Sequence, residues 1–197
     1  MERVSTHRSL EKERTMARET WEIDSSHSSI HFSVRHMVVA KVRGHFARWT
    51  GTIQLEEGDL ARGQVDVVID ASSIETGVAD RDAHLRSSDF FDVVAHPEIT
   101  FKSKRVDKKS DEELRVIGDL TIRGVTREVV LEVEHAGRTR DPWGNERAGF
   151  AAKAVIDRKE FGLAWNQVLE AGGVLVGDRI TIDIDVEAVK QTTAKAA

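Results

Sequence analysis

The residues of this chain best suited to chemistry lie together in one segment, Arg81 to Asp92, with the sequence R-D-A-H-L-R-S-S-D-F-F-D. Its charged and titratable side chains include Arg81, Asp82, His84, Arg86 and Asp89. One hypothesis makes them a gate or a head-group clamp, with Arg81 and His84 as candidate binding residues. The other makes them an ion-pair and capping network that fixes the segment to the fold. Because opposite charges alternate within a few residues, the sequence favours the network.

This segment interrupts an otherwise regular pattern. It lies in a long connection from Ala71 to Pro97, and connections of that length in a compact domain usually serve binding or packing. A short helix is predicted over 80–86, with Asp80 as its N-cap. Phe90 and Phe91 are expected to separate, one entering the interior and one packing on a neighbouring surface.

Metal binding and catalysis are the next chemistry to consider, because the chain has eight histidines. His27 and His31 are four positions apart, and on a strand that spacing is roughly 13 Å, too far to share one ion. The chain has no cysteine, no tyrosine, no G-x-S-x-G motif and no glycine-rich phosphate loop. We therefore expect a protein that is not an enzyme and needs no metal or cofactor. A metal-binding or enzymatic barrel is the alternative.

A second candidate site is basic. The stretch from Ser25 to Leu55 contains no aspartate or glutamate, although the whole chain carries a net charge of −5. Arg35, Lys41 and Arg43 lie at or near the turn H-M-V-V-A-K-V-R-G-H within it. We predict that they form a basic rim that attracts a pyrophosphate or a membrane surface. The alternative is a solvated cationic loop with no ligand.

The elements that must position these residues are strands. Apolar and polar residues alternate in eight segments, which are 30–34, 46–55, 65–69, 99–101, 114–122, 129–133, 150–156 and 180–186. Alternation gives each strand one buried and one solvated face. Short connections favour an up-and-down order, and a sheet that closes on itself leaves no exposed edge. The predicted fold is mainly β, an eight-stranded antiparallel up-and-down barrel with a short helical insert.

Composition limits the other possibilities. With 197 residues the chain is long enough for one barrel, and its acidic charge makes a nucleic-acid partner unexpected. We expect a polar tail over 1–19, a barrel domain over 20–190 and a frayed terminus over 191–197. There is no run of 18 apolar residues and no apolar N-terminal core typical of a secretion signal. These features predict a cytoplasmic protein.

Seven segments, in this order, resemble the YceI-like family of polyisoprenoid-binding, lipocalin-like proteins. They are Trp21 to His36, Gly44 to Gly51, Arg81 to Asp92, Pro97 to Ser103, Gly118 to Thr126, Arg158 to Leu163 and Val174 to Ile182. The resemblance covers residues 21 to 189. It implies an extended lipocalin-like barrel with a long apolar channel that carries or stores a polyisoprenoid, such as an isoprenoid pyrophosphate or a quinone tail. It also implies a homodimer. Many members of the family have a secretion signal, from which this sequence departs.

The residues expected to line such a channel are those on the apolar strand faces. They are Phe32, Val34, Trp49, Ile53, Phe101, Leu120, Ile122, Phe150 and Ile182. Each buried five-carbon unit would contribute roughly 3 to 4 kcal/mol, so a long chain needs a dry channel more than it needs polar contacts. Alternatively, these residues fill a closed core, and the barrel is an interaction module that binds a partner through an exposed Trp143 or Trp165.

Overall fold

The computed structural model describes residues 18–37, 39–56, 59–169 and 173–191. Within them the chain forms eleven strands and one α-helix. The strands are β1 (Arg18–Ile23), β2 (Ser29–His36), β3 (Ala40–Phe46), β4 (Trp49–Glu56), β5 (Asp59–Asp70), β6 (Ile74–Glu75), β7 (Glu98–Lys108), β8 (Glu113–Ile122), β9 (Val125–Arg140), β10 (Glu146–Asp157) and β11 (Val176–Lys190). The helix α1 spans Ala79–Arg86, and 3-10 turns cover Ala71–Ser73 and Arg158–Phe161.

Eight of these strands form a closed antiparallel ring in the order β1-β4-β5-β7-β8-β9-β10-β11, and β1 pairs with β11 to complete it. The remaining strands extend the ring at one end, where β2 pairs with the first half of β11, β3 with β2, and β6 with β3. Three of the eight positions around the barrel are therefore each formed by two consecutive strands. These pairs are β1 and β2, β3 and β4, and β5 and β6. The predicted eight-stranded up-and-down barrel is confirmed.

The antiparallel order gives the barrel two distinct ends. The upper end carries the β2–β3 hairpin, the β8–β9 turn and two longer segments, which we call the insert (residues 76–97) and the covering loop (residues 158–175). The lower end carries the β4–β5, β7–β8 and β9–β10 connections together with the start of β1 and the end of β11. Two long segments therefore cover the upper end, whereas short connections and the ends of β1 and β11 form the lower end.

Two glycines on the inner face make room for aromatic rings. A Cβ atom at Gly118 would lie 2.6 Å from Phe101 Cζ and 2.5 Å from the Lys102 carbonyl oxygen. Gly44 occupies the same kind of position beneath the ring of Phe32. Because a backbone carbonyl cannot move aside cheaply, position 118 must be glycine for Phe101 to face the interior.

Several sequence-based boundaries need correction. The structure begins β1 at Arg18, and Glu19 is buried and hydrogen bonded, so the strand enters the stretch expected as a tail. Gln191 donates its backbone N–H to Thr20, so the barrel also extends one residue beyond 190. Residues 1–17 and 192–197 lie outside the described part. Among the described residues, no helix has the length and apolar character needed to cross a membrane.

The helix in the insert begins one residue before the predicted cap. Its N-cap position is Val78, and no side chain caps it, so the prediction of Asp80 as the cap is wrong. Asp82 instead turns toward the preceding loop, where its carboxylate accepts the Thr76 backbone N–H at 2.9 Å. The separation expected for the two phenylalanines is also wrong, because Phe90 and Phe91 both face the barrel interior.

Candidate functional site

An apolar cavity with a volume of about 250 Å³ lies inside the barrel. One buried water needs only about 10 to 15 Å³ of such space and two or more polar partners. The wall offers few partners, since among its lining residues only His31, Arg158 and the indole of Trp49 have polar side-chain atoms. On β8 alone the wall runs from Leu114 to Ile122, roughly 26 Å along the strand. The cavity is therefore a long, apolar space suited to an apolar molecule.

All nine residues expected to line a channel lie on the wall of this cavity. They are Phe32, Val34, Trp49, Ile53, Phe101, Leu120, Ile122, Phe150 and Ile182. The alternative that side chains fill the interior completely does not hold, because space remains between them. That these residues contact a ligand stays a prediction.

The wall also includes residues that were not singled out beforehand. They share the inner face with the predicted set and include Leu55, Leu60, Val65, Val67, Val129, Leu131, Val133, Ile180 and Ile184. The same alternation that identified the strands contained the signal for them. The insert adds Leu85, Phe90 and Phe91, which no strand pattern could assign to the wall.

The lower end is closed by Trp21, which is fully buried. Its indole Nε1 donates to Glu19 Oε2 at 3.2 Å, and the Arg138 guanidinium lies 5.0 Å from the ring centroid. Glu19 also binds Arg138 at 3.2 Å and Lys190 at 2.6 Å. Burial alone would raise the pKa of Glu19, but the hydrogen bond from Lys190 and the charge of Arg138 outweigh it and lower the pKa. The charges at this end therefore compensate one another.

The upper end is covered by the insert and the covering loop. Phe90 from the insert and Leu163 from the covering loop are both buried and line the cavity. The two segments meet through Trp165, whose ring packs against His84 and Phe90 with centroids 4.6 and 5.3 Å apart. Arg123, from the β8–β9 turn, donates to the Ser88 carbonyl at 2.8 Å and to the Gly162 carbonyl at 3.0 Å. One side chain thus binds both segments.

Arg158 organises the covering loop from within. The residue is only 2% exposed, and its side chain donates to the carbonyls of Gly177, Leu163, Trp165 and Val176. It also pairs with Asp178 at 3.3 Å. A guanidinium has five N–H groups in a fixed fork, and each nitrogen here has at least one acceptor. The covering loop therefore depends on an arginine that has no free donor nitrogen for a ligand.

The charged and titratable side chains Arg81, Arg86 and His84 of the insert form hydrogen bonds and ion pairs within the protein. Arg81 donates to the Thr76 hydroxyl at 2.7 Å and to the Thr76 carbonyl at 2.9 Å. Arg86 binds the carbonyls of Ser72 and Ile74, and His84 binds Asp89 at 2.9 Å. Neither Arg81 nor His84 lines the cavity. These contacts support the network hypothesis, and the hypothesis that Arg81 and His84 form a gate or head-group clamp stays a prediction.

The basic residues of the β2–β3 hairpin lie on its outer face. Arg35 is opposite Lys41 in the register, and Arg43 is opposite Ser33, whereas the inner face carries Val34 and Phe32. Arg35, Lys41 and Arg43 are all exposed. They do not point into the cavity, so their role in binding a head group or a membrane surface stays a prediction.

One cluster has the composition of a metal site but not its electrostatics. Ligand atoms of Asp24, His27 and Glu187 lie within 4.8 Å of one another. Arg147 contacts Asp24 at 3.0 Å and also binds Glu187 and, at 2.9 Å, Asp141. A guanidinium cation therefore already occupies the place of a metal ion.

The same cluster does not form a catalytic triad. Ser26 Oγ lies 3.1 Å and Asp24 Oδ2 lies 2.9 Å from the same nitrogen, His27 Nδ1. A triad needs the hydroxyl and the carboxylate on opposite ring nitrogens. Hydrogen bonds from Ser26 and His27 lower the pKa of Asp24, which keeps the carboxylate charged.

Fold and cavity together define a class of protein: a closed eight-stranded antiparallel barrel with an apolar interior, covered at one end by an insert and a loop. The family model of the YceI-like domain matches residues 21–188 of this chain. The chain belongs to the YceI-like family.

Individual proteins agree with this assignment. A UPF0312 protein of Vibrio parahaemolyticus is 40% identical over 136 residues, which cover 69% of this chain and 72% of that protein. The crystal structure of the Campylobacter jejuni YCEI protein is 29% identical with a TM-score of 0.70, covering 80% of this chain and 90% of that one. A polyisoprenoid binding domain from Saccharophagus degradans, implicated in plant cell wall breakdown, has the same fold at 16% identity and a TM-score of 0.64, covering 87% of this chain and 98% of that one.

Proposed function

We propose that this protein is a non-catalytic carrier or store of a long polyisoprenoid lipid, with the chain of the lipid in the barrel cavity. The observation that carries the proposal is the apolar wall, which includes all nine predicted channel residues. Burial of each methylene contributes about 0.8 kcal/mol, so a branched hydrocarbon chain binds without specific polar contacts. The Saccharophagus degradans domain, described as polyisoprenoid binding, is consistent with the same use of the fold.

Two kinds of isoprenoid are compatible with this proposal, an isoprenoid pyrophosphate and a quinone with a prenyl tail. A pyrophosphate would meet Arg35, Lys41 and Arg43 on the hairpin at the upper end, where charge-assisted hydrogen bonds form with phosphate oxygens. A quinone carries no charge and does not need these residues. The identity of the head group therefore determines whether the basic residues of the hairpin contribute to recognition.

We also propose that the upper end contacts membranes transiently during loading. Exposed apolar side chains occur on two neighbouring hairpin tips, namely Met37, Val39, Val168 and Val174. The tips are joined, because Met37 donates its backbone N–H to the Leu175 carbonyl at 2.9 Å. With the basic residues beside them, these tips combine apolar and cationic groups, as surfaces that bind anionic lipid do.

A cytoplasmic location and a homodimer complete the proposal. Fractionation of cells tests the location, and light scattering on the purified protein tests the dimer.

The test of the proposed function begins with the protein as purified from its cells. Native mass spectrometry, followed by solvent extraction, should show bound material whose mass changes by five-carbon units. A metal ion at unit stoichiometry would support the metal-binding alternative instead. If the purified protein is empty and also fails to bind added geranylgeraniol, a prenol, the proposal that it is a carrier is overturned.

Two neighbouring positions on β10 give a matched pair of variants. Ala154 lines the cavity, whereas Val155 faces outward and is 52% exposed. Ala154→Phe places a ring inside the cavity and should reduce binding of geranylgeraniol at least tenfold, while Val155→Phe should leave it unchanged. Circular dichroism confirms that both variants fold. Equal binding by a folded Ala154→Phe variant would contradict a ligand site inside the barrel.

A further inference from the structure

Two polar residues of β9, His135 and Arg138, lie on its inner face near the lower end, one on each side of a β-bulge. The register passes from His135 opposite Phe150 to Gly137 opposite Gly149, so Ala136 has no partner. His135 continues the alternation of Val133, whereas the bulge shifts the alternation so that Arg138 also faces inward. The two residues lie opposite Phe150 and Ala148, which occupy the inner face of β10. Opposite residues share a face of the sheet, and bulges commonly redirect side chains beside functional sites. The inner face near the lower end thus carries an imidazole and a guanidinium.

The two inward residues differ in their partners. Arg138 binds Glu19 and lies over the Trp21 ring, so its charge is compensated. His135 Nε2 is buried and, among the residues that the structure describes, is the one buried side-chain nitrogen or oxygen without a hydrogen-bond partner. Leaving a buried polar atom unpaired is unfavourable, so such an atom needs an explanation.

His135 is not itself a lining residue, but it lies directly behind the cavity wall, next to two residues that are. Val133, two residues earlier on the same face of β9, lines the cavity, and so does Phe150. The His135 ring lies against Phe150, with the centroids 5.1 Å apart. Burial and the charge of Arg138 lower the pKa of His135, so the ring is neutral near pH 7. A neutral imidazole has one N–H donor and one acceptor nitrogen, and either can meet an uncharged oxygen.

We propose that His135 Nε2 hydrogen bonds to an uncharged terminal oxygen of the bound lipid, the hydroxyl of a prenol or the carbonyl of a prenylated quinone, and so fixes this oxygen at the lower end of the cavity. The proposal rests on the proposed function and narrows its ligand class. A pyrophosphate does not fit at this end, because Glu19 and Glu146 already pair with Lys190 and Arg138 is taken by Glu19. The hydrocarbon chain then extends toward the insert and the covering loop.

The test compares two ligands that differ only in the oxygen, geranylgeraniol and the hydrocarbon of the same chain. The wild-type protein should bind the prenol more tightly. His135→Phe keeps a ring against Phe150 but removes the hydrogen bond, and should reduce the preference for the prenol roughly fivefold to tenfold with little change for the hydrocarbon. His135→Gln restores an amide donor and acceptor and should recover part of the preference. His45→Phe, at a histidine that does not line the cavity, should leave the preference unchanged.

The outcomes separate this inference from the proposed function. If wild-type protein binds both ligands without preference, or if His135→Phe keeps the full preference, the proposed role of His135 is overturned but the proposed carrier function is not. If neither ligand binds, the proposed carrier function is itself overturned. Nitrogen NMR gives an independent readout, because the Nε2 signal of His135 should shift with the prenol and with a prenylated benzoquinone but not with the hydrocarbon. An unchanged Nε2 signal with both oxygen-containing ligands would also overturn the proposal.

Discussion

The edge of the Trp165 ring meets the His84 ring, with the centroids 4.6 Å apart and the ring planes at 87°. His84 belongs to the insert and Trp165 to the covering loop, and Phe90 packs against both. The upper end is thus closed by side-chain contacts and by Arg123, whereas the barrel wall is a continuous ladder of strand hydrogen bonds. Segments joined by few contacts open at lower cost than the sheet does. The upper end is therefore the expected route for a ligand.

The first prediction concerns this contact. Trp165→Ala removes two aromatic pairs, each worth about 0.5 to 1.5 kcal/mol, and should speed release of a bound ligand by roughly fivefold to a hundredfold. The measurement is the rate at which protein loaded with a fluorescent prenyl analogue transfers it to lipid vesicles. Trp143→Ala is the matched control, because Trp143 is 81% exposed at the lower end. Equal transfer rates for the two variants would show that the ligand leaves by another route.

The second prediction concerns Arg158, which connects the covering loop to the start of β11. Arg158→Lys keeps a positive charge but cannot donate to four carbonyls in the same fork geometry. The free energy of unfolding should fall by about 2 to 4 kcal/mol, because buried carbonyls lose their donors. Urea denaturation measures the loss, and hydrogen exchange should become faster in the covering loop but not in β8.

The control for this substitution is Arg179→Lys on β11. Arg179 is exposed and donates no side-chain hydrogen bond among the described residues, so the change should stay within about 0.5 kcal/mol. A loss in Arg158→Lys no larger than in this control would mean that the hydrogen bonds of Arg158 contribute little.

The barrel and its inner face could be predicted because alternation is a local property. On β8, Leu114, Val116, Leu120 and Ile122 recur at every second position on one face. The nine channel residues lie in strands with the same kind of alternation. The interruptions between β1 and β2 and between β3 and β4 have no such signal. The first arises where β11 pairs with both β1 and β2, which is a relationship between distant parts of the chain. The second follows from it, because β4 pairs with β1 and β3 pairs with β2.

The closed lower end could not be predicted for a related reason. Glu19 lies in a charged stretch typical of a solvated tail, and only the contacts with Arg138 and Lys190, far away in sequence, make its burial favourable. His135 has the parity of Val133, but a polar residue at the end of an apolar pattern carries no sign of burial. The bulge at Ala136 likewise leaves no mark in the alternation, so the inward position of Arg138 was missed. Polar groups inside a barrel are determined by their partners, which a local pattern does not contain.

The third prediction is a dependence of stability on acid pH that arises at the β9–β10 turn. Asp141 accepts hydrogen bonds from Asn145 and from Arg147 Nε at 3.0 and 2.9 Å. Burial would raise the pKa of Asp141, but these hydrogen bonds outweigh it and lower the pKa from 3.8 to about 2. Because the folded pKa lies below the unfolded one, the unfolded chain takes up the proton first. The stabilising contribution is then complete above roughly pH 4 and is lost as the pH falls toward 2.

Urea denaturation between pH 7 and pH 2 measures this contribution. Asp141→Asn should be less stable than the wild type at pH 7 and should lose less stability between pH 4 and pH 2, because the titrating group is gone. The control is Asp185→Asn, at an exposed carboxylate on β11 that forms no ion pair among the described residues, and it should keep the wild-type slope. The Asp24 carboxylate, whose pKa is also lowered, shares Arg147 with Asp141, so the variant should retain part of the acid dependence. A slope in Asp141→Asn identical to that of the wild type would place the acid sensitivity elsewhere in the barrel.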